Sequence, residues 1–291
     1  MPSKTLPTTI KQALNKAIIK LKRSRIPEAF LDAEILLAFV IKKNRSWLLA
    51  HNEKAITKSQ SLLYKKLIAQ RSNWWPIAYL IGAKGFYGID FIVSPKVLIP
   101  RPESELIVET VLEKISNSHK TFSLIDIGTG SGCLIISILK NDKTNKINKA
   151  IVIDISSQAL AIAKTNAKKH HLTKKIKFIK NNLLKDICLE ASSKTDELII
   201  LANLPYLTKK QMAEPSIKHE PKKALLGGAD GLTLYRKLKK QLELIKKDYA
   251  KPITLICEIN PGQKNDFKKI WSQTIFKKDL AGKTRLGIIN L

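Results

Sequence analysis

After residue 104 the chain carries five nearly unbroken apolar runs: FSLIDIG (122–128), KAIVIDI (149–155), IKFIKNN (176–182), ELIILAN (197–203) and PITLICEI (252–259). Runs of this length, rich in Ile, Leu and Val, read as strands buried on both faces. Helical stretches, among them 156–170 and 232–247, separate most of them. Strands that alternate with helices predict an α/β fold, a doubly wound parallel sheet with helices on both faces. Two later runs, near Ile275 and over 286–291, are expected to close that sheet.

Upstream the period changes. From Thr8 to Ser72 apolar residues recur every three or four positions: Ile10, Leu14, Ile18, Leu21, then Ala29, Ala33, Leu36, Leu37, Val40, then Leu62, Leu63, Leu67, Ile68. That spacing predicts a small helical bundle, and Thr57 with Gln60 predicts a capping box for its last helix. Between Trp74 and Pro102 the segment WWPIAYLIGAKGFYGIDFIVSPKVLIPRP is rich in Gly, Pro and aromatics. Strands over Phe86–Ile89 and Phe91–Val93 with a tight turn at Gly88 are expected there. The resulting division is a helical domain at 1–73, a β-hairpin linker at 74–104 and a catalytic α/β domain at 105–291.

Composition removes several classes of function. A chain of 291 residues that is 44% hydrophobic can bury a sizeable core. The longest apolar stretches are short, that from Phe30 to Ile41 carries Asp32 and Glu34, and MPSKTLPTTIKQ has no apolar signal-peptide core, so a soluble cytoplasmic protein without a membrane role is expected. Three cysteines, Cys133, Cys188 and Cys257, lie far apart and never as C-x-x-C, which suggests buried thiols rather than disulfides or a zinc site. No metal is expected. The formal net charge of +28 invites a nucleic-acid partner. Yet only the basic residues at 23, 25, 45, 71, 101, 236 and 285 are Arg, and the Lys residues are dispersed. Such an excess reads as solvation or as long-range attraction to an acidic or ribonucleoprotein partner; direct nucleic-acid binding is not required.

The chemistry-bearing residues fall at strand ends. LIDIGTGSGCL sets Gly128, Gly130 and Gly132 at alternate positions, with Thr129 and Ser131 between them, where a strand passes into a helix. Glycines allow the tight turn and a close approach of ligand to backbone, and the following helix offers unpaired amides. The spacing departs from the G-x-G-x-x-G of dinucleotide sites. Asp154, 22 residues beyond Gly132, ends the second strand and can accept from both hydroxyls of a ribose, or else cap the helix at Ser156. The third strand ends in Asn181, Asn182 and Leu183; Asn182 can bond an adenine edge and Leu183 cover its face, or the pair can be a plain turn. The fourth ends in Asn203, Leu204, Pro205 and Tyr206. If strands one and four are neighbours, Asn203 faces the switch-point crevice. Its carboxamide offers one acceptor and two donors to a planar amino group, Pro205 stiffens the turn, and Tyr206 can stack on a flat group. An adenosyl cradle beside an amino-group clamp implies methyl transfer from S-adenosyl-L-methionine to a planar nitrogen. No histidine stands out as a general base.

The sequence resembles the bacterial release-factor glutamine methyltransferases, a branch of the class I S-adenosylmethionine-dependent enzymes with a Rossmann-like sheet. The resemblance rests on P-x-A-Y-L-x-G and F-Y-G (76–88), L-I-P-R-P-E-S-E (98–105), D-I-G-T-G-S-G (126–132), N-L-P-Y (203–206), the stretch from His219 to Arg236, E-I-N-P-G-Q (258–263) and D-L-A-G-K-T-R (279–285). It implies a helical domain that binds a peptide chain release factor, with the glutamine of that factor's Gly-Gly-Gln loop as substrate; a monomer is expected. It further implies that Gly128–Gly132, Asp154, Asn182, Leu183 and Asn203 bind the cofactor, which leaves as S-adenosyl-L-homocysteine. Asn203, Leu204, Pro205 and Tyr206 would hold the glutamine amide, with Asn203, Pro205 and Tyr206 as the catalytic set. Arg101 and Glu103 would shape the site or pair with each other. Glu220-Pro221 and Gly227-Gly228 read as structural. Leu204 stands where the family carries Pro and matches ribosomal-RNA adenine dimethyltransferases, so N6-adenine methylation of RNA or DNA is an alternative. Glutamine methylation of a ribosomal protein is another.

Overall fold

The computed structural model describes residues 8–187 and 195–291, so Cys188 lies outside the described residues. The chain forms two compact units, one ending at Gly82 and including Glu214–His219, the other comprising Ala83–Ala213 and Glu220–Leu291.

The first unit is helical: α1 (Ile10–Arg23), α2 (Ala29–Ile41), α3 (Arg45–Ala50), α4 (Lys58–Ser72) and α5 (Ile77–Ile81). Capping boxes form at Thr9/Gln12 and at Thr57/Gln60, satisfying the amides that a helix start leaves unpaired. Leu21, Leu36, Leu37 and Leu48 are fully buried in its core. Two acids inside α2 are balanced by Arg: Asp32 by Arg71 at 2.7 Å, and Glu34 by Arg45. Within this unit His219 stacks on Trp75 and its Nε2 lies 2.8 Å from the Asn73 carbonyl.

The second unit opens with a hairpin, β1 (Ala83–Phe86) and β2 (Ile89–Ile92), in which Phe86 pairs with Ile89. The two-residue turn between them is Tyr87-Gly88, both with positive φ (49° and 71°). The segment 86–89 expected as a strand is therefore the turn itself. A primed two-residue turn matches the strand twist and demands positive φ at both central residues, which Tyr87 tolerates and Gly88 favours.

After α6 (Glu105–Ser116) the remaining elements are β3 (Phe122–Ile127), α7 (Cys133–Asn141), β4 (Ile147–Asp154), α8 (Ser157–Lys169), β5 (Ile176–Lys180), β6 (Glu197–Ala202), α9 (Thr233–Asp248), β7 (Ile253–Glu258), α10 (Lys264–Ile270), β8 (Ile275–Lys278) and β9 (Thr284–Asn290). The sheet order is β5-β4-β3-β6-β7-β9-β8. Strands β3 to β7 run parallel, and β3, β6 and β7 are buried at every residue, as their apolar runs require. The closing strands depart from a purely parallel sheet: β9 lies antiparallel between β7 and β8. The link from β8 to β9 is too short for a crossover, so a hairpin is its only connection. Alternate residues serve two cores. Ile125, Ile127, Leu198 and Ile200 pack with Tyr235, Leu238, Leu242 and Phe267, while Leu124, Ile199 and Leu201 pack with residues of α6 and α7. Because α7 leads from β3 out to β4 while β6 flanks β3 on its other side, the order reverses between β3 and β6, and the crevice for a ligand lies at their C-terminal ends.

Among the described residues no helix is long and apolar enough to cross a membrane, and no cluster of three His, Cys, Asp or Glu could hold a metal ion. Cys257 is buried and Cys133 half-buried.

Candidate active site

The glycine turn after β3 uses the freedom its residues have. Gly128, Gly130 and Gly132 all adopt positive φ (72°, 56° and 80°). A Cβ on Gly132 would also lie 3.2 Å from Ile136 and 3.3 Å from Ala163, so α7 and α8 close around that point. The amides of Gly128 and Thr129 donate to the Ile153 carbonyl at 2.8 and 3.1 Å, which ties the turn to the end of β4. Buried Asn166 on α8 donates from Nδ2 to the Ser131 carbonyl (2.9 Å) and the Ile92 carbonyl (3.0 Å), and its Oδ1 accepts from the Ile92 amide. The hairpin thereby braces the turn.

Asp154 answers one of the open alternatives. The cap of α8 is the Ser156 hydroxyl, which accepts from the Ala159 amide. Asp154 instead accepts from the Gly130 amide on Oδ2 at 3.0 Å and from the Ser156 amide on Oδ1 at 2.8 Å. Each oxygen keeps a second lone pair, as a diol ligand needs. Asn181 donates its amide to the Asp154 carbonyl, so Asn181, Asn182 and Leu183 sit directly beside it. Asn182 is half-buried, whereas Leu183, with φ of 57°, is buried in the core beside Ile153 and Leu184.

Beneath the turn lies Asp126, whose role the motif alone does not disclose. It is 1% exposed; its Oδ2 accepts from the Thr129 hydroxyl at 2.6 Å, and its Oδ1 has no partner among the described residues. Burial, with the neighbouring Asp154 adding to it, pushes the carboxyl up to about 7. The Ser131 hydroxyl is buried and unpartnered as well. A buried carboxylate with an open oxygen, a left-handed glycine turn and a carboxylate with spare lone pairs together suit a ligand with a cationic end and a ribose. S-adenosyl-L-methionine has both.

On the other side of the crevice β6 ends at Ala202. Asn203 donates from Nδ2 to Ser104 Oγ at 2.9 Å and to Glu258 Oε2 at 3.0 Å. The Ser104 hydroxyl donates to the same Oε2, and the Tyr206 hydroxyl donates to Glu258 Oε1 at 3.1 Å. Glu258, the last residue of β7, is 1% exposed, and burial raises its carboxyl above the usual range. Burial and the adjacent Glu258 also push the Tyr206 phenol upward, so it stays a neutral donor. The Leu204 side chain lies in the core: it is 2% exposed, and its Cδ2 would be 3.3 Å from a Cβ on Gly128. Its amide donates to the buried Tyr235 hydroxyl at 3.4 Å, itself within hydrogen-bond reach of the Ala202 and Glu258 carbonyls.

The turn is clamped by segments read from sequence as merely structural. A Cβ on Gly227 would lie 2.3 Å from the Pro205 carbonyl oxygen, and one on Gly231 2.1 Å from that of Tyr206. Leu207 exchanges backbone bonds with Leu225 and Gly227, and Gln263 Nε2 donates to the Tyr206 carbonyl at 3.1 Å. Arg101 does not pair with Glu103. It pairs with Glu220, which also accepts from the Ile99 amide at 3.2 Å, while Glu103 lies 3.6 Å from Arg285. The geometry thus gathers the glycine turn, Asp154 and Asn182 on one side and Asn203 to Tyr206 on the other. Sequence reasoning passed over Asp126, Ser104, Glu258 and Asn166. The first and third carried a signal, a lone acid in a fully buried, largely apolar strand.

Comparison with known proteins identifies the relatives of this arrangement. Residues 12–82 match the PrmC N-terminal domain family and residues 118–275 the methyltransferase domain family. The release factor glutamine methyltransferase of Koribacter versatilis is 35% identical over 80% of this chain and 81% of its own length. That of Clostridium botulinum is 34% identical over 91% and 93%. The chain belongs to the release factor glutamine methyltransferase family. The bifunctional methyltransferase of Rickettsia felis is 31% identical over 96% of this chain, but the chain spans only 57% of that protein. Among solved structures, the hMettl16 catalytic domain in complex with a MAT2A 3'UTR hairpin superposes with a TM-score of 0.52 at 13% identity, covering 87% of this chain and 89% of that one. That likeness is one of fold.

Proposed function

We propose that this protein transfers the methyl group of S-adenosyl-L-methionine to the side-chain amide nitrogen of the glutamine in the Gly-Gly-Gln loop of a peptide chain release factor, leaving S-adenosyl-L-homocysteine. The observation that carries the reading is the Asn203 carboxamide, fixed by Ser104 and Glu258 at the end of β6, next to the glycine turn at the end of β3.

The cofactor supplies a methyl group already activated on a sulfonium. The protein's part is binding and alignment. Asp126 Oδ1 and the close backbone approach allowed by Gly128, Gly130 and Gly132 would hold the polar end of the cofactor, Asp154 its ribose, and Asn182 the adenine edge. Asn203 Oδ1 accepts from the substrate amide NH2 and turns its nitrogen toward the crevice, where alignment lowers the barrier of an in-line displacement. The same acceptor stabilises the positive charge that grows on nitrogen as the bond forms. Pro205 and Tyr206 form the wall against which the flat amide lies, with the Tyr206 ring held by its bond to Glu258. Leu204 serves packing, so its departure from the family pattern need not change the substrate.

The helical unit, residues 1–73 of the expected division, is assigned to recognition of the release factor, residues 74–104 to the link and 105–291 to catalysis. The protein would act in the cytoplasm as a monomer, and its +28 charge would draw it to acidic or ribosome-associated surfaces. The test is incubation with labelled S-adenosyl-L-methionine and a release factor carrying Gln or Ala in the Gly-Gly-Gln loop. Label in the Gln form alone is expected. Equal label in both, or label in a lysate that nuclease removes, would overturn the reading in favour of another site or of nucleic-acid adenine.

A further inference from the structure

The hydrogen bonds around Asn203 form a small set whose donors and acceptors can be counted. An ionised carboxylate only accepts, and Glu258 Oε2 is one of two atoms within reach of the end of the Asn203 side chain. The other is Ser104 Oγ, whose single proton is already given to Glu258. Both neighbours therefore require protons from Asn203. The oxygen and nitrogen of a carboxamide are distinguished by such a network and by nothing in their shape. With Glu258 ionised the network admits one answer: the nitrogen points inward with both protons used, and Oδ1 is all that the group can offer to a ligand.

We propose that Glu258 is a positioning residue that locks the Asn203 carboxamide with its oxygen toward the crevice, so that the site accepts only a nitrogen that brings its own protons. This rests on the reading that a planar NH2 is methylated. It deepens that reading, because a freely turning Asn203 could equally present NH2 to the substrate and hold a carbonyl or an unprotonated ring nitrogen instead.

Protonation of Glu258 undoes the lock, since a carboxylic acid is a donor on one oxygen and draws Oδ1 inward. The groups that face it come from four elements: Ser104 and Glu103 before α6, Tyr206 after β6, Tyr235 on α9, and Arg285 on β9. Burial and Glu103 raise its pKa, while the hydrogen bonds from Ser104 and Tyr206 and the charge of Arg285 oppose the rise. Turnover is then lost as pH falls through this raised pKa and retained above it.

The experiment follows the Asn203 side-chain NH2 by nitrogen-15 NMR in the full chain, with its signals assigned by their absence in Asn203→Ala. Slow exchange of both protons is expected in the unsubstituted protein, and in Glu258→Gln exchange should quicken at least about tenfold. Ser104→Ala, which removes one acceptor and keeps the carboxylate, should quicken one proton and leave the other protected. In parallel, Glu258→Gln should lower kcat by about 100-fold, the loss a misplaced reacting group entails, with cofactor affinity within about threefold and the acid limb of the pH profile abolished. The double variant Asn203→Ala/Glu258→Gln should be no slower than Asn203→Ala alone. Unchanged NH2 exchange in Glu258→Gln, or rate losses that multiply in the double variant, would overturn the proposal. Failure of the unsubstituted enzyme to label a release factor would sink the methyl-transfer reading alone, because the exchange measurement still decides the orientation.

Discussion

Replacing Gly227 with Ala tests whether the turn that carries Asn203 to Tyr206 is held in place from behind. Gly227 has no positive φ, so Ala can adopt its backbone conformation and the perturbation is purely one of space. The added Cβ would lie 2.3 Å from the Pro205 oxygen, 2.7 Å from the Gly231 oxygen and 2.8 Å from Tyr206 Cα. All three are backbone atoms, which cannot swing aside as a flexible side chain would. Carbon and oxygen pack at roughly 3.3 Å or more, so the Pro205-Tyr206 backbone must retreat by about 1 Å. Overpacking of this kind typically costs about 1–3 kcal/mol, and for a domain near this size each kcal/mol lowers Tm by about 2–4 °C. A displacement of about 1 Å at a reacting group costs about 100-fold in rate. The cofactor cradle, Gly128 to Gly132 with Asp126 and Asp154, makes no contact with Gly227 among those given above, so cofactor affinity should stay within about threefold. The assay pairs kcat on a release factor with calorimetric cofactor binding and a thermal melt. A variant with kcat within threefold of the unsubstituted enzyme would refute the claim that the Gly227 segment sets the clamp. Loss of cofactor binding in step with rate would show the damage to be general.

Asn203→Ala should leave cofactor affinity within about tenfold while removing most turnover, because a contact that strengthens in the transition state affects kcat more than ground-state binding; unchanged kcat would exclude Asn203 from the mechanism. Asp126→Asn should weaken cofactor binding, and the ratio of the two affinities should widen as pH rises from about 6 to 8, since Asp126, raised to about 7, becomes anionic in that window. The same group makes a stability prediction in the cofactor-free protein. Its folded-state pKa lies above its unfolded value, so the folded state binds more protons between them, and Asp126 costs stability increasingly as pH climbs from about 4 to 7. Melts of Asp126→Asn should therefore show less loss of stability over that range than the unsubstituted protein, and parallel pH curves would count against the burial argument. Glu220→Ala leaves the Ile99 amide and the Arg101 guanidinium without their acceptor; with Arg101 about one-third exposed, a loss of about 1–3 kcal/mol is expected in denaturant unfolding.

What the sequence discloses and what it withholds follow from how far each interaction reaches along the chain. The strands were legible because burial on both faces leaves near-continuous apolar runs, and the glycine turn because positive φ at alternate positions leaves alternate glycines. The Phe86–Ile89 segment is also local: Gly88 marks the turn, but the aromatic Phe86 and Tyr87 read as strand, and only the pairing of Phe86 with Ile89 shows that Tyr87 belongs to the turn. The burial of the Leu204 side chain is likewise beyond local reading, because it is decided by Gly128 and by the core beneath.

The remaining gap concerns partners. Ser104, Asn203 and Glu258 are separated by 99 and 55 positions, and they meet only because β6 lies between β3 and β7 and the 102–104 turn crosses their ends. No periodicity records such a meeting. What the sequence does carry is the anomaly itself. Asp126 and Glu258 are the single acids of two fully buried strands whose other residues, Ser123 and Thr254 apart, are apolar, and a buried carboxylate is tolerated only where protons are delivered to it. One receives them from Thr129 and keeps an oxygen free. The other receives them from Ser104, Asn203 and Tyr206 and keeps none, which is why the first suits a ligand and the second fixes a side chain.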